Sequence, residues 1–240
     1  MSLEKKLTSL SIFFPCYNEA KNIPELVAQA NKVAAEIAEK NELIVVDDGS
    51  QDETVAVVKN LQQQYPQLRL VQHKKNQGYG AALQTGFAAA QYDWIFFADG
   101  DQQFDLQELK TFVPYVDDYQ VIIGYRRQRA EGSLRAFNAR LFKLYIDLLF
   151  RVHVKDIDCA FKLFKAETIK SLELFSQGAF ISSEFLYKLK KKGVRFKQLP
   201  VHHYPRQHGQ PTGANLKVII KGVTDALRLY LKMKLKLQGK

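Results

Sequence analysis

Two carboxylates separated by one glycine, Asp99-Gly100-Asp101, close the apolar run Trp94–Ala98. At the end of a buried strand, both side chains of such a pair can reach one hard divalent cation. Mg²⁺ and Mn²⁺ prefer oxygen ligands and complete their shells with substrate phosphates. Gln103, two positions on, adds an amide oxygen to the set. Asp and Gly are also ordinary turn residues, so the pair alone does not separate a metal site from a solvated turn. A second acidic stretch, Asp47-Asp48-Gly49-Ser50, closes the apolar run Leu43–Val46 in the same way, which favours the site. A third, Asp156-Ile157-Asp158-Cys159, offers either a general base for a hydroxyl acceptor or a partner for nearby basic groups.

Other chemistries lack their residues. The first apolar run is followed by Pro15-Cys16-Tyr17-Asn18-Glu19 and not by a glycine fingerprint, and no G-x-x-x-x-G-K-[ST] occurs. Dinucleotide oxidoreductase and P-loop readings are thereby weakened. Gly78-Tyr79-Gly80 opens a helix, where a glycine pair more often reflects tight packing than phosphate binding. His202 and His203 are adjacent on an extended segment, so they point to opposite faces, and with His208 they read as loop histidines without a metal.

The elements that must position these residues follow from periodicity. Leu10–Phe14, ended by Pro15, reads as a buried strand, and Leu43–Val46, Leu68–Val71, Trp94–Ala98 and Val121–Gly124 read likewise. Asn22 with Glu25, and Ser50 with Glu53, have capping-box spacing before amphipathic stretches. The first stretch places Leu26, Ala30, Val33, Ala34 and Ile37 on one face. Gly80–Ala90, Ser133–Phe150 and Ser182–Lys192 are further helices, and Phe196–Val201 is a strand before a polar loop, His202–Gly213. Alternating apolar strands and helices with short connections describe an α/β fold with a Rossmann-like, doubly wound, mainly parallel sheet flanked by helices. Ligands in such sheets bind beyond the carboxyl ends of the strands, where the acid-bearing loops converge.

The chain has 240 residues, 46% hydrophobic and 25% charged, ordinary values for a globular domain. No window approaches the ~18 consecutive apolar residues of a spanning helix, and Met1–Lys6 does not read as a secretory leader. Two cysteines, Cys16 and Cys159, suit free thiols in a reducing compartment, so a cytoplasmic location is expected. The net charge of +10 calls for an anionic partner. Its basic residues are not interleaved with exposed aromatics and carry no nucleic-acid reading module, so nucleic acid is not expected. Lysines concentrate instead after about Asn215, alternating with Ile219, Ile220, Val223, Leu227, Leu229, Leu231, Leu235 and Leu237, as in a basic amphipathic helix that lies on an anionic membrane surface or packs on the domain. Residues 1–213 are expected to form one catalytic domain and residues 214–240 this helix.

Four stretches in order, Phe14-Pro15-Cys16-Tyr17-Asn18-Glu19, Val46-Asp47-Asp48-Gly49-Ser50-Gln51-Asp52, Asn76-Gln77-Gly78-Tyr79-Gly80 and Ala98-Asp99-Gly100-Asp101-Gln102-Gln103, resemble the serial motifs of family 2 glycosyltransferases. The resemblance runs from about Leu10 to Gly213 and is greatest to the polyprenyl-phosphate sugar synthases of the dolichol-phosphate mannose type. It implies the GT-A fold and a set of roles. Pro15, Tyr17 and Glu19 would line the nucleoside pocket, Asp48 would bond the base, and Gly78 would face the substrate. Asp99, Asp101 and Gln103 would hold Mg²⁺ or Mn²⁺ against the diphosphate. Arg126 stands at the family's Gly-x-Arg, Arg135 matches a later arginine, and Arg206 matches a loop arginine that closes over phosphates. Guanidinium groups suit such bidentate capture. Asp156 and Asp158 fall in the acidic segment before a Gly-Phe-Arg element, for which this chain has Ala160-Phe161-Lys162, and Glu184 matches an acid often found there.

The implied activity is inverting, metal-dependent transfer from a nucleotide-sugar donor to a polyprenyl phosphate, by a protein peripheral at the cytoplasmic membrane face. Two alternatives remain at this stage: transfer to a sugar hydroxyl in glycan assembly, and a nucleotide-sugar-binding module without turnover.

Overall fold

The apolar runs become the strands of one seven-stranded sheet. The structure, a computed structural model, describes residues 5–127, 144–145, 148–209, 223–228 and 230–231. In chain order the elements are β1 (Leu7–Cys16), α1 (Ile23–Ile37), β2 (Ala38–Asp47), α2 (Thr54–Leu61), β3 (Leu68–Gln72), α3 (Tyr79–Ala89) and β4 (Trp94–Ala98). They continue with β5 (Val121–Arg126), β6 (Phe161–Lys165), α4 (Ala166–Lys170), α5 (Ile181–Lys191) and β7 (Phe196–Val201).

The strand order is β3-β2-β1-β4-β6-β5-β7. β1 pairs in parallel with β2 and β4, and β5 with β7. β6 alone runs antiparallel, between β4 and β5. The register places Cys16 beside Asp47 and Asp47 beside Gln72, so β1, β2 and β3 finish together. Because β6 is reversed, its start lies at the edge where β4 ends, with Ala98 opposite Phe161. The antiparallel strand therefore delivers the acidic segment before it to the same edge as Asp99 and Asp101.

The core is aromatic at the centre of this sheet. Phe97 stacks on Phe13 and Phe164, with centroids 5.5 and 6.1 Å apart, and Phe87 and Phe185 meet it edge-on. Each such ring buries on the order of 150–250 Å² and dominates core energetics. Helix α3 approaches β1 so closely that a Cβ on Gly86 would overlap the Phe13 ring, which explains a glycine in mid-helix. Helix α1 buries Leu26, Ala30, Val33, Ala34 and Ile37 as its periodicity implies, and adds Ile23 and Val27.

Three local expectations are corrected. Strand β1 does not stop at Pro15: Pro15 pairs opposite Val46, and the strand continues to Cys16. Neither capping box forms. Asn22 turns its amide to Glu19 Oε2 at 2.6 Å, leaving α1 without a side-chain cap. Ser50 Oγ instead accepts from the Asn18 N–H at 2.8 Å, and Asp52 accepts from Thr54 N–H at 3.0 Å at the start of α2. Strand β6 is an addition that periodicity did not reveal. Most of the helix expected over Ser133–Phe150 lies outside the described residues, as do Arg135 and the proposed boundary after residue 213. Residues 144–145, 148–150 and 223–228 are helical.

Candidate active site at the carboxyl edge of the sheet

The loops after β1 and β2 are laced together. Gln51 N–H donates to Asn18 Oδ1 at 2.8 Å, Glu19 N–H to Thr54 Oγ1 at 2.9 Å and Ala20 N–H to Asp52 Oδ2 at 3.2 Å. Pro15 is buried at the end of β1, and Tyr17 is half-buried just beyond it. Asp48 is buried, and its carboxylate turns inward to the segment before α3. Oδ1 accepts from Gln77 N–H at 2.8 Å and bonds His73 Nδ1 at 2.7 Å, while Oδ2 accepts from Gly78 N–H at 2.8 Å. The structure thus places Asp48 and Gly78 together, each satisfying the other, and gives Asp48 a role in shaping this wall.

The glycines around Tyr79 are there for packing. A Cβ on Gly78 would strike the Gln177 carbonyl oxygen, and one on Gly80 would overlap that of Ser176. Gly80 N–H donates to Gln177 O at 2.8 Å, so the start of α3 is closed by the segment before α5. Glu184, fully buried on α5, holds that segment by accepting from Phe175 and Ser176 N–H at 3.0 and 2.8 Å. Tyr79, at the head of α3, then donates its hydroxyl to Asp99 Oδ1 at 2.9 Å.

Asp99 and Asp101 lie side by side at the end of β4. Asp99 retains some exposed surface, yet its carboxyl is pushed up to about 7, chiefly by burial and then by the charge of Asp101. The Tyr79 hydrogen bond and the charges of Arg126 and Lys162 oppose that rise. Two crowded carboxylates are the oxygen set that a hard divalent cation relieves. Among the described residues no group of three or more His, Cys, Asp or Glu side chains forms a metal cage. Two neighbouring carboxylates suit an ion that completes its shell with substrate oxygens. Gln103 turns its amide nitrogen to the Tyr204 carbonyl at 2.9 Å, and its N–H faces Asp101 Oδ1 at 3.3 Å.

The segment after β7 folds over this edge. Tyr204 N–H donates to Gln103 O at 2.8 Å, and Glu108 accepts from His202 N–H at 2.8 Å while bonding its Nδ1 at 2.7 Å. His202 thus serves as a latch, and His203 packs its ring against Phe104. From this loop Arg206 extends one terminal nitrogen to Glu19 Oε1 and the other to Asp101 Oδ2, the latter at 3.4 Å. Its Nε donates to the His208 carbonyl at 2.5 Å, which fixes the fork. Burial raises the Glu19 carboxyl, and the Asn22 and Arg206 contacts oppose that shift.

Arg126, whose charge acts on Asp99, forms a bidentate pair with Asp156. Nε meets Oδ2 at 2.7 Å and Nη2 meets Oδ1 at 2.9 Å, with both side chains largely buried. Asp158 is exposed, and its charge reaches Tyr79, Arg126 and Lys162. Of the expected residues, Glu19, Asp99, Asp101, Gln103, Arg126 and Arg206 thus share one neighbourhood. Tyr79, Glu108 and Lys162 belong to it without having been assigned roles, and His73 stands with Asp48 on the adjoining wall. Tyr79 and Lys162 lay within motifs quoted for the family resemblance.

Comparison with known proteins accords with this geometry. The Glycosyl transferase family 2 model matches residues 11–173. A dolichyl-phosphate beta-glucosyltransferase of Trichomonas vaginalis is 28% identical over 242 residues, covering 92% of this chain and 73% of that protein. A dodecaprenyl-phosphate galacturonate synthase of Rhizobium johnstonii is 28% identical over 204 residues, covering 83% of this chain and 60% of its own length. Among solved structures, glucosyl-3-phosphoglycerate synthase from Mycobacterium tuberculosis with Mn²⁺, UDP-glucose and phosphoglyceric acid superposes with a TM-score of 0.69. It is 20% identical, and the match covers 93% of this chain and 79% of that one. The same enzyme with Mg²⁺ and UDP gives a TM-score of 0.70. The architecture is the GT-A fold.

Proposed function

The chain belongs to glycosyl transferase family 2, and from that premise we propose that it transfers a sugar from a nucleotide-sugar donor to a polyprenyl phosphate, with inversion. The observation that carries the choice of acceptor is the pairing of Asp156 with Arg126. That contact removes one of the two acids available as a base and keeps a fixed cation beside Asp99. A phosphate monoester is already an anionic nucleophile at neutral pH, so it needs cationic positioning more than deprotonation. Both named relatives are transferases of polyprenyl phosphates, and this reading carries their acceptor class to the present chain.

In this account the nucleoside lies against Pro15, Tyr17 and Glu19, on the wall that Asp48 braces. Asp99 and Asp101 would hold Mg²⁺ or Mn²⁺, with Gln103 beside them. The ion would neutralise the charge that develops on the departing nucleoside diphosphate. Arg206 brings a guanidinium fork to the same diphosphate, and its loop covers the donor against water. Arg126 and, by its resemblance, Arg135 orient the acceptor phosphate for attack on the sugar carbon from the face opposite the leaving group.

Apolar surface at the described helices supports peripheral binding at the cytoplasmic membrane face. Leu144 and Leu148 are 67% and 77% exposed, and Val223, Leu227 and Leu231 form a second exposed row at helical spacing. The two segments adjoin through the Tyr145 hydroxyl and the Val223 carbonyl, 3.3 Å apart. Ala226 and Tyr230 pack inward, Tyr230 against Phe150, so the opposite row is left to lipid. No helix among the described residues is long and apolar enough to cross a membrane.

The exposed Asp158 carboxylate favours a second reading, with Asp158 as general base for a sugar hydroxyl. The intact Asp99/Asp101 pair argues against a binding module without turnover. Mass spectrometry of products formed from a panel of nucleotide sugars, a short polyprenyl phosphate and free glycans tests the proposal. A sugar linked to the lipid phosphate is expected, and products on glycan hydroxyls alone would refute it.

A further inference from the structure

Lys162 is a charged residue in the middle of the sheet. On β6 it pairs opposite Phe97 of β4 and Ile123 of β5, and its side chain is fully buried. An ammonium taken out of water is costly unless its hydrogen-bond donors are met. Here Nζ donates to the carbonyls of Ile157, at 3.1 Å, and Cys159. It also lies 5.7 Å from the ring centroids of Phe97 and Phe185. The groups whose charges act on it include Cys159, Asp156, Asp158 and Arg126, and its own charge acts on Asp99. The ammonium therefore clasps a turn from beneath, and the residue before the clasped Ile157 carbonyl is Asp156, which grips Arg126 through both carboxylate oxygens.

We propose that Lys162 is a positioning residue for the Arg126 guanidinium. It anchors the Ile157–Cys159 turn to the sheet, and that anchor fixes Asp156 and, through it, the fork that faces the acceptor phosphate. The proposal rests on the acceptor reading above for its functional consequence, but the anchoring is physical and can be measured separately. A neutral side chain in this aromatic surround would preserve the packing while releasing two backbone carbonyls. Arg126 would then keep its charge and lose its fixed direction. Misplacement of that order costs roughly ten- to a hundredfold in a positioned reaction.

The test uses the full chain with Lys162→Met and Lys162→Arg. Methionine fills the space without hydrogen-bond donors, whereas arginine retains the cation and its N–H groups. With a short polyprenyl phosphate and the nucleotide sugar found active, Lys162→Met should raise the acceptor KM by roughly tenfold or more, and by more than it raises the donor KM. Lys162→Arg should restore much of that loss. Combined with Arg126→Lys, Lys162→Met should add little to the single arginine change, because both disturb the same contact. Amide hydrogen exchange over residues 156–160 should quicken in Lys162→Met while β4 stays protected. An unchanged acceptor KM, or additive effects in the double variant, overturns the proposal. Unchanged exchange over 156–160 overturns it even if the wild-type chain transfers no sugar, a result that would refute the acceptor reading alone. If the methionine variant does not fold, the same exchange and KM measurements on Lys162→Leu, which also lacks donors, decide the question.

Discussion

The Tyr79 hydroxyl donates to Asp99 Oδ1 at 2.9 Å, tying the first residue of α3 to the acid that closes β4. Burial holds the tyrosine's own pKa well above its usual value, so it stays protonated and can serve as donor. It stabilises the charged form of a carboxyl that burial and Asp101 push up to about 7. Tyr79→Phe should therefore raise that carboxyl further and weaken Mn²⁺ binding at pH 7 about tenfold, the scale of one hydrogen bond to a charged group. Calorimetric titration with Mn²⁺ checks this. Equal affinities would mean that the hydroxyl does not tune the pair.

The same elevation sets a pH dependence. Below about 7 the Asp99–Asp101 pair carries a proton that a cation must expel. Mn²⁺ affinity should be flat above that pH and fall by about tenfold per unit below it. In the metal-free chain the sign for stability is opposite. The native pair holds a proton between about pH 4 and 7 that the unfolded chain has released. Its contribution to stability is complete at the acid end and is lost as pH rises through 7. Binding and thermal-melting series across pH 5–8 read both trends, and Asp99→Asn should abolish them.

Asp101→Asn should leave the fold intact, since it relieves a like-charge contact, while lowering transfer by roughly 10²-fold or more. EDTA should reproduce the loss in the wild-type chain, and Mg²⁺ or Mn²⁺ should reverse it. Full transfer by the metal-free variant would contradict the role given to the pair.

Membrane binding is assigned to the adjacent exposed rows, Leu144 with Leu148 and Val223 with Leu227 and Leu231. The chain should sediment with anionic liposomes, less so as salt rises, because basic residues near an anionic surface contribute about 1 kcal/mol each. Leu148→Glu with Leu227→Glu should reduce the bound fraction severalfold without lowering the melting temperature. Undiminished binding by that double variant would place the contact elsewhere.

Much of the architecture was legible in the sequence because β1, β2, β4 and β5 contain apolar runs, and acid-bearing loops after β1, β2 and β4 mark three of their ends. Strand β6 was not, since Phe161-Lys162-Leu163-Phe164-Lys165 reads as part of a motif and its reversal is settled only by the gap between β4 and β5. The capping boxes failed for a related reason: Asn22 and the Ser50 hydroxyl found partners in the loop after β1 instead of in their own helices. The site acids were visible, but their partners were not. Asp48 meets His73, Gln77 and Gly78, and Asp156 meets Arg126, across separations of 25 to 30 residues that no local pattern encodes.

The acceptor is the centre of the account, and one comparison tests it most directly. Because Asp156 is bound to Arg126, its substitution disturbs the guanidinium as well and does not discriminate between acceptors. Asp158 is the exposed acid that a hydroxyl acceptor would need, and Arg206 is the cation that contacts Asp101 and Glu19 and that the proposal sets against the diphosphate. Transfer to a short polyprenyl phosphate should be measured for Arg206→Ala and Asp158→Asn beside the wild type. The account predicts a loss of roughly 10²-fold with the arginine change and near-full activity with the aspartate change. Loss with Asp158→Asn, together with wild-type transfer only to a sugar hydroxyl, would contradict it.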